Sequence, residues 1–192
     1  MRLGRALAVV AGAILVLISR PAGVTAAAEE ADRPAELKAL DRWVGEWEME
    51  VSVKPAAWLP QGSRSTFKAS TRWTLNGRVL QCDANGEGTA GERKFKDAFT
   101  WIITYDPGAR TYVSTVFWSN VPGNWGGGMR ATATWDERAG TLTTRAVDAD
   151  SGVTSAGVTT WVDADTHEFV STAKDRNGQV LMEMTGKAKR KK

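Results

Sequence analysis

One histidine and one cysteine bound the chemistry open to this 192-residue chain. A general base, a haem ligand or an imidazole metal ligand is either His167 or absent. Cys82 has no histidine at a matching strand position to activate it and reads as a small inward residue. Nucleophilic triads are excluded by the number and place of that one imidazole. Paired-carboxylate catalysis stays open, although no strand presents two acids inward. Asp148-Ala149-Asp150-Ser151-Gly152 begins like a calcium loop but lacks the downstream bidentate glutamate, so it reads as a turn. The glycine-rich run from Ser119 to Gly128 has no following helix and no Lys-Ser/Thr, which phosphate cradles need. No catalytic residue, metal or cofactor is expected, and His167 reads as structural.

The elements around these residues are strands. Ala35 to Val44 is a short amphipathic helix, with Leu37, Leu40 and Val44 on one face and Trp43 at its edge, ended by Gly45. From Trp47 the period changes to two: Trp47, Met49, Val51 and Val53 point one way, and Glu46, Glu48 and Glu50 the other. A second strand over about 64–75 places Phe67, Ala69, Thr71, Trp73 and Leu75 inward. Asn76-Gly77 then predicts a type I′ hairpin that sets Trp73 against Leu80, Thr71 against Cys82 and Ala69 against Ala84. Further strands are expected over about 97–105, 110–119, 128–135, 141–147, 154–162, 167–174 and 179–189.

Ten strands in sequence predict an all-β, up-and-down antiparallel barrel, closed so that no edge is exposed. Tight turns after even-numbered strands gather at one end, where the helix plugs the opening. Long connections over 55–63, 86–96 and 120–127 gather at the other.

The N-terminus carries Arg2 and Arg5, an apolar run from Ala6 to Ile18 and small residues ending Ala26-Ala27-Ala28. A basic start, an apolar run too short to span a bilayer and a small-residue cleavage site predict a signal peptide over 1–28. The barrel domain is then 29–192, exported to the periplasm or beyond, with no transmembrane segment. Removing Arg2, Arg5 and Arg20 with the leader takes the 25 basic residues of the precursor down to a number level with its 22 acids. The basic cluster Lys187 to Lys192 therefore ends an otherwise acidic body, which argues against nucleic acid as a partner. With Cys82 alone, no intramolecular disulfide supports the fold. Burial must do so, and each of the nine tryptophans brings about 150–250 Å² to it.

Gly45-Glu46-Trp47 after a short helix resembles the Gly-x-Trp motif that starts strand one of lipocalin-like (calycin) barrels. That resemblance implies a basic residue of the last strand over the tryptophan, and Arg190 is the match for Trp47. The order of Val53-Lys54-Pro55-Ala56, Leu75-Asn76-Gly77-Arg78, Thr104-Tyr105-Asp106-Pro107 and Asp163-Ala164-Asp165-Thr166-His167 resembles an exported bacterial family of unknown function with this barrel. Nitrobindins of the wider superfamily hold haem through a histidine on the last strand. Here that strand has none, Met182 and Met184 read as core fillers, and haem is not expected.

The lumen is the first candidate site. Small inward residues (Ala69, Thr71, Cys82, Ala84, Ala131, Ala133, Gly157, Ser171 and Ala173) leave room, and Trp73, Trp101, Tyr105 and Phe117 are expected to wall it. Trp58 and Trp125, on two of the long connections, are placed to guard the open end. The leading expectation is non-catalytic binding of a small apolar or amphipathic molecule in the barrel mouth. A barrel filled by its own tryptophans, acting as a structural or interaction protein of the cell envelope, is the alternative, and an enzyme acting on a small lipid-like substrate is the third. Composition fixes neither the ligand nor the oligomeric state.

Overall fold

Leu37, Leu40 and Trp43 follow one another at a spacing of three, and the segment Ala35–Trp43 is a 3₁₀ helix that buries those three side chains. With three residues per turn they stack along one edge. The expected placement of Val44 on the buried face and Trp43 beside it is corrected by this tighter period. Val44 leaves the helix in an extended conformation. Gly45 then takes a φ of +129°, and a Cβ there would meet Arg190 Nη1 at 2.8 Å. Glycine is required at this corner for its backbone and for its lack of a side chain.

The structure, a computed structural model, describes residues 33–119 and 128–192. The expected leader and Trp125 lie outside the described residues. Ten strands follow the helix: β1 (Gly45–Val53), β2 (Ser63–Thr74), β3 (Val79–Ala90), β4 (Arg93–Asp106), β5 (Thr111–Trp118), β6 (Met129–Asp136), β7 (Thr141–Val147), β8 (Thr154–Asp163), β9 (Thr166–Lys174) and β10 (Val180–Arg190). Each pairs antiparallel with its sequence neighbours, and β1 closes on β10. The fold is the expected all-β, up-and-down closed barrel with a short helix at one end.

Register follows the hairpin chemistry. Trp73 pairs with Leu80, Thr71 with Cys82 and Ala69 with Ala84. The turn itself departs from expectation at Leu75, whose φ of +48° joins those of Asn76 and Gly77 in the left-handed region. That rotation ends the alternation one residue early and leaves Leu75 74% exposed instead of inward.

The connection expected over 86–96 is also corrected. β3 and β4 pair all the way to Ala90 opposite Arg93. Gly86 and Gly88, which read as loop residues, lie inside β3 beneath aromatic rings. A Cβ on Gly86 would meet the Phe67 ring at 2.5 Å, and one on Gly88 the Phe95 ring at 2.8 Å. In these positions glycine makes room for a neighbouring ring, not for a turn. Gly186 beneath Phe169 repeats the device.

Two apolar clusters fill the interior. One joins the helix residues Leu37, Leu40 and Trp43 to Leu80, Ile103, Tyr112, Ala133 and Leu142. The other runs along β1, β2 and β3 through Trp47, Val51, Phe67, Ala69, Cys82 and Ala84, and includes Ala188. The helix is tied down by polar side chains as well. The Tyr112 hydroxyl donates to the Glu36 carbonyl at 2.6 Å, and Trp73 Nε1–H donates to the Asp41 carboxylate at 2.8 Å.

Candidate functional site in the barrel lumen

Arg190 organises the closed end. Its guanidinium carbon lies 4.3 Å from the centre of the Trp47 ring. It donates through Nη2 to the Arg42 carbonyl at 2.8 Å, through Nη1 to the Val44 carbonyl, and through Nε to Asp165 at 3.0 Å. The last carbonyls of a helix have no partner within it, and here one cation covers the helix exit while stacking on an indole. Trp47 Nε1–H in turn donates to the Trp43 carbonyl at 2.8 Å.

Above this base the barrel is hollow. A cavity of about 480 Å³ runs from Trp43, Trp47 and His167 at the helix end to Trp58, Leu59, Arg93 and Phe95 at the other. Its wall is mostly apolar. It includes the β1 face Met49, Val51 and Val53, and the small residues Ala69, Thr71, Cys82, Ala131, Gly157, Ser171 and Ala173. Phe67, Phe99 and Trp118 add an aromatic strip, with ring centres 5.4 Å apart for Phe67–Phe99 and 4.7 Å for Phe99–Trp118. The wall residues with a formal charge at neutral pH are Arg93 and Asp97, both near the mouth.

The residues singled out in the sequence divide four ways. Thr71, Cys82 and Trp101 line the cavity wall, and Trp58 stands at its rim. Trp73 and Tyr105 pack instead with the closed-end cluster, Trp73 under the Arg33 guanidinium at 4.6 Å and Tyr105 against Tyr112 at 5.4 Å. Phe117 lies on the outer face, 40% exposed, where its ring covers Gly128. On β5 it is Ser114, Val116 and Trp118 that face the cavity. Trp125 falls outside the described residues.

Trp58 is more firmly held than a free rim residue. A register shift in β10 between Val180 and Met182 presents the Leu181 carbonyl, and Trp58 Nε1–H donates to it at 2.7 Å. The bulge thus serves as a docking point for the loop that carries the tryptophan.

Among the described residues three polar side chains are buried, Thr71, Ser114 and His167, and all line the cavity. Burial pushes the Cys82 thiol up, outweighing its hydrogen bond with Thr71, so it stays protonated and unreactive at neutral pH. His167 lies within the closed-end aromatics, with ring centres 5.0 Å from Trp47 and 4.9 Å from Trp161. Burial, and then the charge of Arg190, push its pKa down to about 4. The imidazole is therefore neutral at physiological pH. Asp148 is engaged by its own turn, accepting from the Asp150 and Ser151 amides at 2.9 and 3.0 Å.

The position of His167 on the cavity wall was readable from parity. Ser171 and Ala173 read as inward, and His167 sits an even number of residues before them on the same strand. Trp43 carried a weaker signal, since its inward aim depends on the helix being 3₁₀.

The family described as "Protein of unknown function (DUF1579)" matches residues 33–190, the helix and all ten strands. This chain belongs to that family. No curated protein matches the chain. The S-type phycobiliprotein lyase CPES from Guillardia theta is similar in structure, with 15% identity and a TM-score of 0.53, over 81% of this chain and 92% of that one. Rv2717c from M. tuberculosis is similar as well, with 8% identity and a TM-score of 0.59, over 84% of this chain and all of the other. At such identities the likeness is one of fold. Among the described residues no helix of this DUF1579 barrel is long and apolar enough to cross a membrane.

Proposed function

We propose that this protein binds a small apolar or amphipathic molecule in its lumen without transforming it. The observation that carries the reading is the cavity of about 480 Å³, which among the described residues opens at the mouth and is walled by apolar and small side chains. Nine tryptophans are enough to fill a barrel of this size, yet six of them (Trp43, Trp47, Trp73, Trp101, Trp135 and Trp161) gather around the helix end, and Trp118 packs into the wall with the second cluster. A lumen kept free in this way favours a ligand-binding role over the filled-barrel alternative, and its size suits one small molecule. Arg93 and Asp97 at the mouth allow the ligand a polar end facing solvent.

The test is saturable binding of the apolar fluorophore N-phenyl-1-naphthylamine, read as energy transfer from tryptophan. Saturation near one probe per chain supports the reading. Absence of saturable binding by a folded sample overturns it. The same proposal places the protein outside the cytoplasm, on the basic start, apolar run and small-residue site of residues 1–28. Intact mass of protein recovered from the cell envelope tests that part, and retention of Arg2 to Arg20 would refute it.

A further inference from the structure

His167 stands out among the residues of the cavity. It is the chain's single histidine, 7% exposed, and its enclosed Nδ1 has no hydrogen-bond partner among the described residues. Buried polar groups are almost always paired, and an unpaired one is a reason to look for a missing partner. The backbone around it is settled, since Ala188 and Trp161 flank it in the sheet. Its side chain is directed to the cavity floor beside Trp43 and Trp47.

The surroundings restrict what that partner is. The formally charged residues of the wall are near the mouth, so an ionised group at the floor would be buried without a counter-ion there. Arg190 lies beneath Trp47 and is committed to the Arg42, Val44 and Ala164 carbonyls and to Asp165. A neutral imidazole has a lone pair to offer, and a hydroxyl is the simplest neutral donor for it. Indole rings on the floor favour a flat apolar body, because aromatic rings pack well edge to face.

We propose that His167 is the polar anchor of the lumen, its imidazole shifting to bring the enclosed Nδ1 to the cavity, where it accepts a hydrogen bond from the neutral hydroxyl of a flat, aromatic ligand that enters hydroxyl first. This inference rests on the lumen being a binding site and adds the ligand's class and orientation. The hydroxyl takes the place of the partner that the protein leaves out, and the apolar body fills the wall above it. Any charged end of the ligand stays at the mouth, near Arg93.

The experiment compares 4-phenylphenol, biphenyl and biphenyl-4-carboxylate by tryptophan quenching, with the imidazole ¹⁵N resonances followed by NMR. A single histidine makes those resonances assignable without further labelling. Hydration alone favours biphenyl as the more apolar molecule. The anchor reverses that order, and 4-phenylphenol is expected to bind about tenfold tighter than biphenyl. It alone should move the imidazole ¹⁵N signals.

His167→Phe should lose the preference while still binding biphenyl, and His167→Gln, which keeps an acceptor, should retain part of it. If His167→Phe fails to fold, the wild-type comparison and the ¹⁵N signals decide. Biphenyl binding as tightly as the phenol, or unmoved ¹⁵N signals, overturns the anchor and leaves lumen binding intact. Tightest binding by the carboxylate with an imidazole shift overturns the neutral hydroxyl. Failure of all three molecules to bind overturns both this inference and the reading it rests on.

Discussion

The two ends of the barrel are made from the same strands with the same alternation, and they differ in what the alternation delivers. At the helix end the inward positions carry large rings. Trp43 alone meets Trp101, Trp135 and Trp161 at ring-centre distances of 6.4, 5.7 and 5.2 Å. Arg42 adds its cation to this group, 4.9 Å from Trp135 and 5.1 Å from Trp161. Further up, alanine, serine, threonine and glycine take many of the inward positions between the Phe67, Phe99 and Trp118 rings, and the lumen stays open. Stability and vacancy are thus separated along one axis. The aromatic base contributes the burial, which leaves the upper wall free to match something other than the protein.

That separation predicts unequal responses to truncation, and the largest belongs to Trp43. Trp43→Ala removes the hub of the closed end and is expected to cost about 3–5 kcal/mol in a urea melt. The same truncation at Trp118, on the upper wall, should cost clearly less, because one side of its ring already faces the cavity. Equal losses at the two sites would show that the ends share the stability evenly.

The next effect sharpens the comparison through pH. The His167 imidazole has its pKa lowered from the ordinary 6.5 to about 4, by burial first and Arg190 second. The unfolded chain therefore takes up a proton below about pH 6.5 that the folded chain refuses until about pH 4. Stability from this group is complete above pH 6.5 and is lost as pH falls to about 4, with an upper bound of about 3 kcal/mol. Urea melts across that window should show the loss in the wild type and a shallower one in His167→Gln. Parallel curves would mean that the closed end is wetter than its burial indicates.

A smaller effect isolates the cation on the indole. Trp47→Ala should cost several kcal/mol by lost burial, whereas the Trp47–Arg190 coupling measured in a double-mutant cycle should be about 0.5–2 kcal/mol. Arg190→Lys is informative here, because an ammonium cannot reach the Arg42 and Val44 carbonyls and Asp165 together while stacking. Strict additivity would leave Arg190 as a cap for the helix exit and no more.

These features were unequally legible in the sequence. Asn76-Gly77 gave away the β2–β3 register, because turn chemistry pins residues opposite one another over the whole hairpin. Trp47 opposite Arg190 followed from the Gly45-Glu46-Trp47 motif and from the last strand ending where the first begins. Phe117 did not follow. The inward parity of β5 depends on how many residues the turn 107–110 uses, and with Tyr105 opposite Tyr112 the even-numbered residues face in. Composition of the strand cannot reveal that. Gly86 and Gly88 misled for a different reason, since the rings that explain them come from β2 and β4. Whether the tryptophans fill the lumen was illegible for the same cause at larger scale. The height of each side chain depends on the stagger between strands, a property of the closed barrel and not of any one segment.

The smallest expected effect lies at the rim, and it bears most directly on the open end. Trp58 is 42% exposed and lines the mouth, but its Nε1–H is held by the Leu181 carbonyl. A ring fixed in this way narrows the opening and offers an apolar face to a ligand, without giving up much burial of its own. Trp58→Ala should therefore shift stability by less than about 1 kcal/mol, since the ring is already half in water. Probe affinity should fall about three- to tenfold, the loss of one exposed aromatic contact. Trp58→Phe separates the two roles of the side chain, keeping a ring while removing the donor. If the bond to Leu181 is what orients the ring, Trp58→Phe will resemble Trp58→Ala in affinity while its melting temperature stays at the wild-type value. If Trp58→Phe binds as the wild type does, ring area alone matters, and the β10 bulge has no part in shaping the mouth. An early melt of Trp58→Ala would place the residue in the core and move the boundary between the two ends upward.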